Sequence, residues 1–109
     1  MNPQFRDQIA LLHSRFCAAF SDPSRMLIVY EISERPCSAA MLVENLGMAQ
    51  PVVSRHLKIL RERGIVTSER QGNTQFYHLT DERIVQALDL FRSIIADQLA
   101  VQVQLAQSL

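Results

Sequence analysis

The sequence predicts a mainly helical domain that carries one β-hairpin. Three observations point there. Apolar residues recur at three- and four-residue steps through the first sixty or so positions, which is helical spacing. That period breaks after Gly64, where "IVTSER" and "TQFYHLT" flank the turn signal "QGN". From Asp81 the helical period returns and runs to the end of the chain. At 109 residues, 48% apolar, with three Gly and four Pro, residues 1–109 are expected to form one globular domain. A chain this short buries only about 60–65% of its unfolded surface, so a second subunit would add considerably to its core.

The elements follow in order. Phe5, Ile9, Leu12, Phe16 and Phe20 share a face, predicting a first helix over about residues 3–20. "SDPSR" stops it and starts the next: Asp22 or Ser21 suits the cap, and Pro23 the first turn. The second helix, "SRMLIVYEIS", is apolar on most sides and is expected at the centre. "ERPC" breaks the chain, Ser38 caps a third helix, and Gly47 supplies its left-handed stop. A fourth helix spans about 50–63 and ends at Gly64; the hairpin spans about 65–79. The last helix spans about 82–106, with Ile84, Leu88, Phe91, Ile95, Leu99 and Val103 in one stripe.

Net charge is zero, yet the charge is unevenly placed. Residues 51–75 carry five Lys/Arg against two Asp/Glu, while 1–50 carry four against five and 76–109 two against four. The excess lies on the fourth helix and the hairpin. On a helical wheel Val53, Leu57 and Leu60 form the inward face of that helix, and Ser54, Arg55, Lys58 and Arg61 the opposite arc. Val52 and Ile59 lie at one margin and His56 at the other.

Two helices joined by a short turn at Gly47, the second of them cationic, are the layout of a helix-turn-helix whose second helix enters the DNA major groove. The side chains suit that task. Arg55 can pair with a guanine edge, Gln50 with adenine, and Val52 can meet a thymine methyl. Ser54, Lys58 and the amides of the first turn set by Pro51 suit phosphates. Arg70, Asn73 and Gln75 stand near the hairpin tip, in reach of a minor groove or backbone. His56 fits a DNA contact or a satisfied, half-buried histidine. A protein-docking module is the other reading of the same fold, disfavoured by Lys58 on the exposed arc, since interface cores are depleted of lysine.

Other classes find little in the residues. No apolar run approaches the ~18 residues of a membrane span, and "MNPQFRDQIALLHSRF" does not resemble a signal peptide. Two cysteines are too few for a disulfide framework, so a cytoplasmic protein is expected. There is no Gly-rich phosphate loop or nucleophile elbow, and His13, His56 and His78 lack evident carboxylate partners. Neither enzymatic activity nor a cofactor is expected.

"FSDPSRMLIVYEI" followed by "LVENLGMAQPVVSRHLKILRERGIVTSERQGNTQFYHLTD" resembles the ArsR/SmtB family of bacterial winged-helix repressors, from about Phe16 to Asp81. The resemblance implies a homodimer joined through the first and last helices, bound to operator DNA and released by a metal, metalloid or redox signal. It puts Gln50, Ser54, Arg55 and His56 on the recognition helix and makes the hairpin the wing. Ala49 departs from the family, which often has a capping serine there; Pro51 offsets that loss by presetting the first turn. The family's metalloid site is a Cys-x-Cys pair near the start of the third helix, and its positions here hold Ser38 and Ala40, with Cys37 one residue early. A second site, on the last helix, falls on Asp81, Arg83, Ile94 and Asp97, without either histidine. Neither set suits a metal, so no metal site is expected. Persulfide sensors of the family carry a cysteine on the second helix, where this chain has Tyr30.

Cys17 and Cys37 remain. Cys17, among Phe16, Ala18, Ala19 and Phe20, is expected to be a small buried hydrophobe. Cys37, beside Pro36 in a loop, is expected to be more exposed. A thiol-based sensor that pairs them across a dimer, with His13 on the face of Cys17, stands as the alternative to a repressor without a recognisable metal site. The sequence names no effector.

Overall fold

The computed structural model describes residues 1–109. Helix α1 (Pro3–Leu12) runs into a single π-helical turn, His13–Cys17. Then come α2 (Pro23–Glu34), α3 (Ala39–Leu46), α4 (Gln50–Glu62), the strands β1 (Val66–Gln71) and β2 (Thr74–Leu79), and α5 (Arg83–Ser108). The order is the one expected. The π turn was not foreseen, and α5, at 26 residues, is slightly longer than its stripe suggested.

Side chains punctuate the helices as the sequence proposes. Asp22 Oδ1 accepts the Ser24 amide at 2.8 Å, and Ser38 Oγ accepts the Met41 amide at 3.2 Å. Each such cap contributes about 1 kcal/mol. Gly47 closes α3 with φ 66°, a left-handed conformation that side chains with a Cβ rarely adopt. The turn it makes sets the angle between α3 and α4.

Helix α2 lies at the centre, packed against α3, α4, α5 and β2. Ile28 and Val29 from α2, Leu42 from α3, Val53 and Leu60 from α4, and Ile65 after it are fully buried. The hairpin is antiparallel, with Val66 opposite Leu79, Ser68 opposite Tyr77 and Arg70 opposite Gln75. Cys37 pairs with β2 in an isolated antiparallel bridge: its amide donates to the Tyr77 carbonyl at 3.1 Å, and the Tyr77 amide donates back at 2.8 Å. Thr80 Oγ1 donates to the Gly64 carbonyl at 2.7 Å, fastening the base of the hairpin to the end of α4. The two flanking helices are nearly bare. Nothing in α1 is buried, and in α5 only Ile84 and Leu88 are.

Candidate DNA interface

Helix α4 is positioned by its inward stripe. Val53, Leu57 and Leu60 are all buried, which leaves Gln50, Pro51, Ser54, Arg55, Lys58 and Arg61 exposed on the other side and Val52 half-buried. Ala49 makes no side-chain cap, and Pro51 occupies the first turn, as the sequence proposed. Gln50 Nε2 donates to Ser54 Oγ at 2.9 Å, so both side chains are already ordered along the outer face.

Strand alternation aims the wing. Residues i and i+2 point to one side, so Val66, Ser68 and Arg70 share a face with their partners Leu79, Tyr77 and Gln75. The inner end of that face enters the core at Val66. Its outer end carries Arg70 and Gln75 beside the tip, where Gly72 takes φ 63° and Asn73 is exposed. Glu69 falls on the opposite face, away from Arg70. Between α4 and β2 lies an open notch of about 460 Å³, lined by Ser54, Leu57, Lys58, Arg61, Glu62 and Tyr77. Tyr77 Oη donates to Gln75 Oε1 at 3.3 Å, which links the notch to the wing.

The cations of α4 and the wing differ from those that are ion-paired elsewhere. Arg25, Arg83 and Arg92 each have a carboxylate partner, whereas Arg55, Lys58, Arg61 and Arg70 form no ion pair. These four stand exposed on α4 and the wing, free to meet an anionic partner. Arg63, at the end of α4, is used differently: its Nη1 donates to the Ser14 carbonyl in the π turn at 2.9 Å, tying the α4 terminus to the first helix.

Three expectations are corrected. His56 is only 4% exposed and turns toward the start of α2. Its Nδ1 lies 3.2 Å from Arg25 Nη1, and its Nε2 lies 3.8 Å from Asp22 Oδ2. The satisfied-histidine reading holds. The two cysteines exchange character. Cys37 is fully buried by its bridge with β2, its Sγ donates to the Arg35 carbonyl at 3.2 Å, and burial pushes its thiol pKa up. Such a thiol is a poor nucleophile and a poor ligand. Cys17 is exposed within one chain, on a groove that Phe16, Phe20, Ile84 and Phe91 also line. With Cys37 sealed in the core, pairing the two would require the body to open.

A metal of the family's kind does not fit the residues present. Arg83 grips Asp81 with Nη2 at 2.7 Å from Oδ2 and Nε at 3.1 Å from Oδ1. Those hydrogen bonds hold the Asp81 pKa down to about 2. A guanidinium thus occupies the carboxylate that a cation would need.

Sequence reasoning missed Arg25 and the Tyr77 side of the notch. Arg25 carried a signal. It is the one cation in an apolar helix and sits in the first turn, where the helix dipole disfavours positive charge.

A buried helix-turn-helix with an exposed cationic second helix, followed by a two-stranded wing, defines a winged helix-turn-helix DNA-binding transcriptional regulator. Residues 22–68 match the family described as "Bacterial regulatory protein, arsR family". An uncharacterized HTH-type transcriptional regulator of Methanocaldococcus jannaschii is 33% identical over 73 residues, covering 66% of this chain and 82% of that protein. The HTH-type transcriptional repressor SmtB of Mycobacterium tuberculosis is 41% identical over 66 residues, which is 61% of this chain and 49% of the repressor. The homodimeric winged helix-turn-helix DNA-binding domain from Mycobacterium bovis superposes with a TM-score of 0.79, covering 91% of each chain at 18% identity, a likeness of fold alone. The chain belongs to the arsR family of bacterial regulatory proteins.

Proposed function

We propose that the protein is a dimeric repressor that reads operator DNA with α4 and steadies it with the wing. The observation that carries this reading is the grouping on α4 and the wing of four exposed cations, Arg55, Lys58, Arg61 and Arg70, none of which has a carboxylate partner. Phosphates and guanine edges are the partners their chemistry fits. Gln50, Val52, Ser54 and the first turn at Pro51 complete the face on α4, and Asn73 and Gln75 complete it on the wing. Dimerisation joins α1 and α5 of two copies, whose apolar faces, apart from Ile84 and Leu88, are not buried within one chain. The protein acts in the cytoplasm by binding, without a catalytic step or a cofactor. The broken ligand sets and the Arg83–Asp81 pair make zinc, cadmium and nickel poor candidates for its inducer.

Arg55 is assigned to base reading because it is exposed in the N-terminal half of α4, the part of a recognition helix that meets base edges, and its guanidinium can pair with a guanine edge. Arg55→Ala is expected to cost about 1–3 kcal/mol on the operator and to relax preference at one base pair per half-site. Operator sequences selected from genomic DNA should show two half-sites about one helical turn apart. Equal loss on operator and scrambled DNA would make Arg55 a phosphate clamp. Failure to select any sequence would remove the repressor reading altogether.

A further inference from the structure

His56 neighbours Arg55 on the recognition helix, yet it faces the start of α2. Arg25 is pinned there by two more bonds: Nε donates to the Ala19 carbonyl at 2.5 Å and Nη2 to Ser21 Oγ at 3.3 Å. A guanidinium offers only donors and does not lose its proton. Its 3.2 Å contact with His56 Nδ1 therefore exists only while that nitrogen is a bare acceptor. With that nitrogen as the acceptor, the imidazole is neutral and carries its proton on Nε2, the atom that lies 3.8 Å from Asp22 Oδ2.

We propose that Asp22, His56 and Arg25 form a clamp that holds the recognition helix in its DNA-reading pose only while His56 is neutral, so that protonation of His56 releases the operator. His56 is thus a positioning residue for Arg55 and the rest of the arc. The proposal rests on the DNA-reading role of α4. Protonation puts an N–H at Nδ1 against the guanidinium, which sets two donors and two cations face to face in a buried site. The charged groups that act on the ring are Asp22 and Arg25 at the start of α2 and, through space, Arg55 from its own helix. The end of the first helix contributes the uncharged Ala19 carbonyl and Ser21 hydroxyl, both through Arg25. Only Asp22 favours the imidazolium, and its side chain is 40% exposed, so solvent weakens its pull.

Burial first, and then Arg25 and Arg55, hold the His56 pKa below its ordinary 6.5 against the attraction of Asp22. A lowered pKa means that folding favours the neutral ring. The clamp is complete above pH 6.5 and is lost as pH falls through the lower, folded value. The direction is diagnostic. Added positive charge alone tightens binding to DNA as pH drops, whereas an opening clamp loosens it.

The test compares operator binding by wild type and His56→Gln, by anisotropy, from about pH 8 to about pH 5.5. Glutamine keeps an acceptor for Arg25 and does not titrate. Wild-type affinity is expected to fall by up to about tenfold per pH unit per subunit below the His56 pKa, while His56→Gln stays flat. Heteronuclear NMR of the wild-type His56 ring reads the tautomer directly and depends on no variant folding. A ring protonated on Nδ1 at neutral pH overturns the proposal, as do equal pH profiles for the two proteins. Absence of operator binding at every pH overturns the underlying DNA-reading role, a result distinct from an operator complex that ignores pH.

Discussion

Leu57 and Phe91 both belong to regular apolar stripes of long helices, yet Leu57 is 2% exposed and Phe91 is 65% exposed. The difference lies in what surrounds each helix. Around α4, short neighbours fold back on one another through the turns at Gly47 and Gly64, so the inward stripe is covered within one chain. Helix α5 instead extends for about 39 Å at 1.5 Å per residue, and past Leu88 none of its residues is buried, with only Tyr30 reaching out to Asp89 and Arg92. Ile95 and Leu99 are each 55% exposed, and Phe5 and Ile9 on α1 are 42% and 47% exposed. A groove of about 650 Å³ between the two helices, lined in part by Leu12, Phe16, Phe20 and Phe91, continues the bare surface. The body around α4 is covered within one chain, and the flanking helices are not. Burying one such side chain is worth about 1.5–3 kcal/mol, so the unfilled faces hold much of the stability that a dimer would add.

Replacing Phe91 separates the two regions most sharply. Phe91→Asp sets a charge in the face assigned to the partner, and an unpaired buried charge is not tolerated. The expected result is complete loss of the dimer at micromolar concentration by light scattering, with loss of binding to paired half-sites. If the body is as self-sufficient as its burial indicates, the variant keeps its helical circular dichroism near neutral pH. A wild-type protein that is itself a well-folded monomer at that concentration would refute the division.

A cut in the other region acts differently. Leu57→Ala removes a side chain from the closed core and is expected to cost about 2–5 kcal/mol in urea unfolding. That loss should be the same at every protein concentration, because the core draws on one chain. The wild-type melting midpoint, in contrast, should rise with concentration, since association binds only the native state. A Leu57→Ala penalty that vanished on dilution would mean that the body too depends on its partner.

What was legible in the sequence follows the same line. Elements with a strong period or a capping residue could be read: the α3–α4 turn at Gly47, the caps at Asp22 and Ser38, the hairpin about Gly72. The stripe Val53–Leu57–Leu60 could be read because helical geometry alone decides which residues share a face. Contacts across long stretches of chain could not. His56 and Arg25 are thirty-one positions apart, and nothing local distinguishes a histidine that meets DNA from one that meets an arginine. The cysteines were inverted for the same reason. Cys37 is buried by a backbone bridge to Tyr77, in a strand forty residues away. Cys17 is exposed because no residue far along its own chain folds over it.

The smallest effects expected divide the interface itself. Lys58 and Arg61 are one turn apart and line the same notch with Ser54 and Tyr77, while Arg70 stands on the wing face that continues from Tyr77. Such a concave, hydroxyl-edged cationic surface suits the curved phosphate backbone better than flat base edges. Each of these side chains, replaced by alanine, should weaken operator and scrambled DNA by the same factor. Each should also flatten the slope of log K against log salt by about one unit for every phosphate left without its cation. In a dimer every substitution is made twice, so the change per protein is about two units where both copies touch DNA. Glu62 lines the notch as well and sets a limit on how closely a phosphate approaches. Glu62→Gln should therefore raise affinity for both DNAs and leave the base preference unchanged. An Arg61→Ala that altered the preferred sequence without moving the salt slope would place Arg61 with Arg55 on the bases and leave the notch without a role.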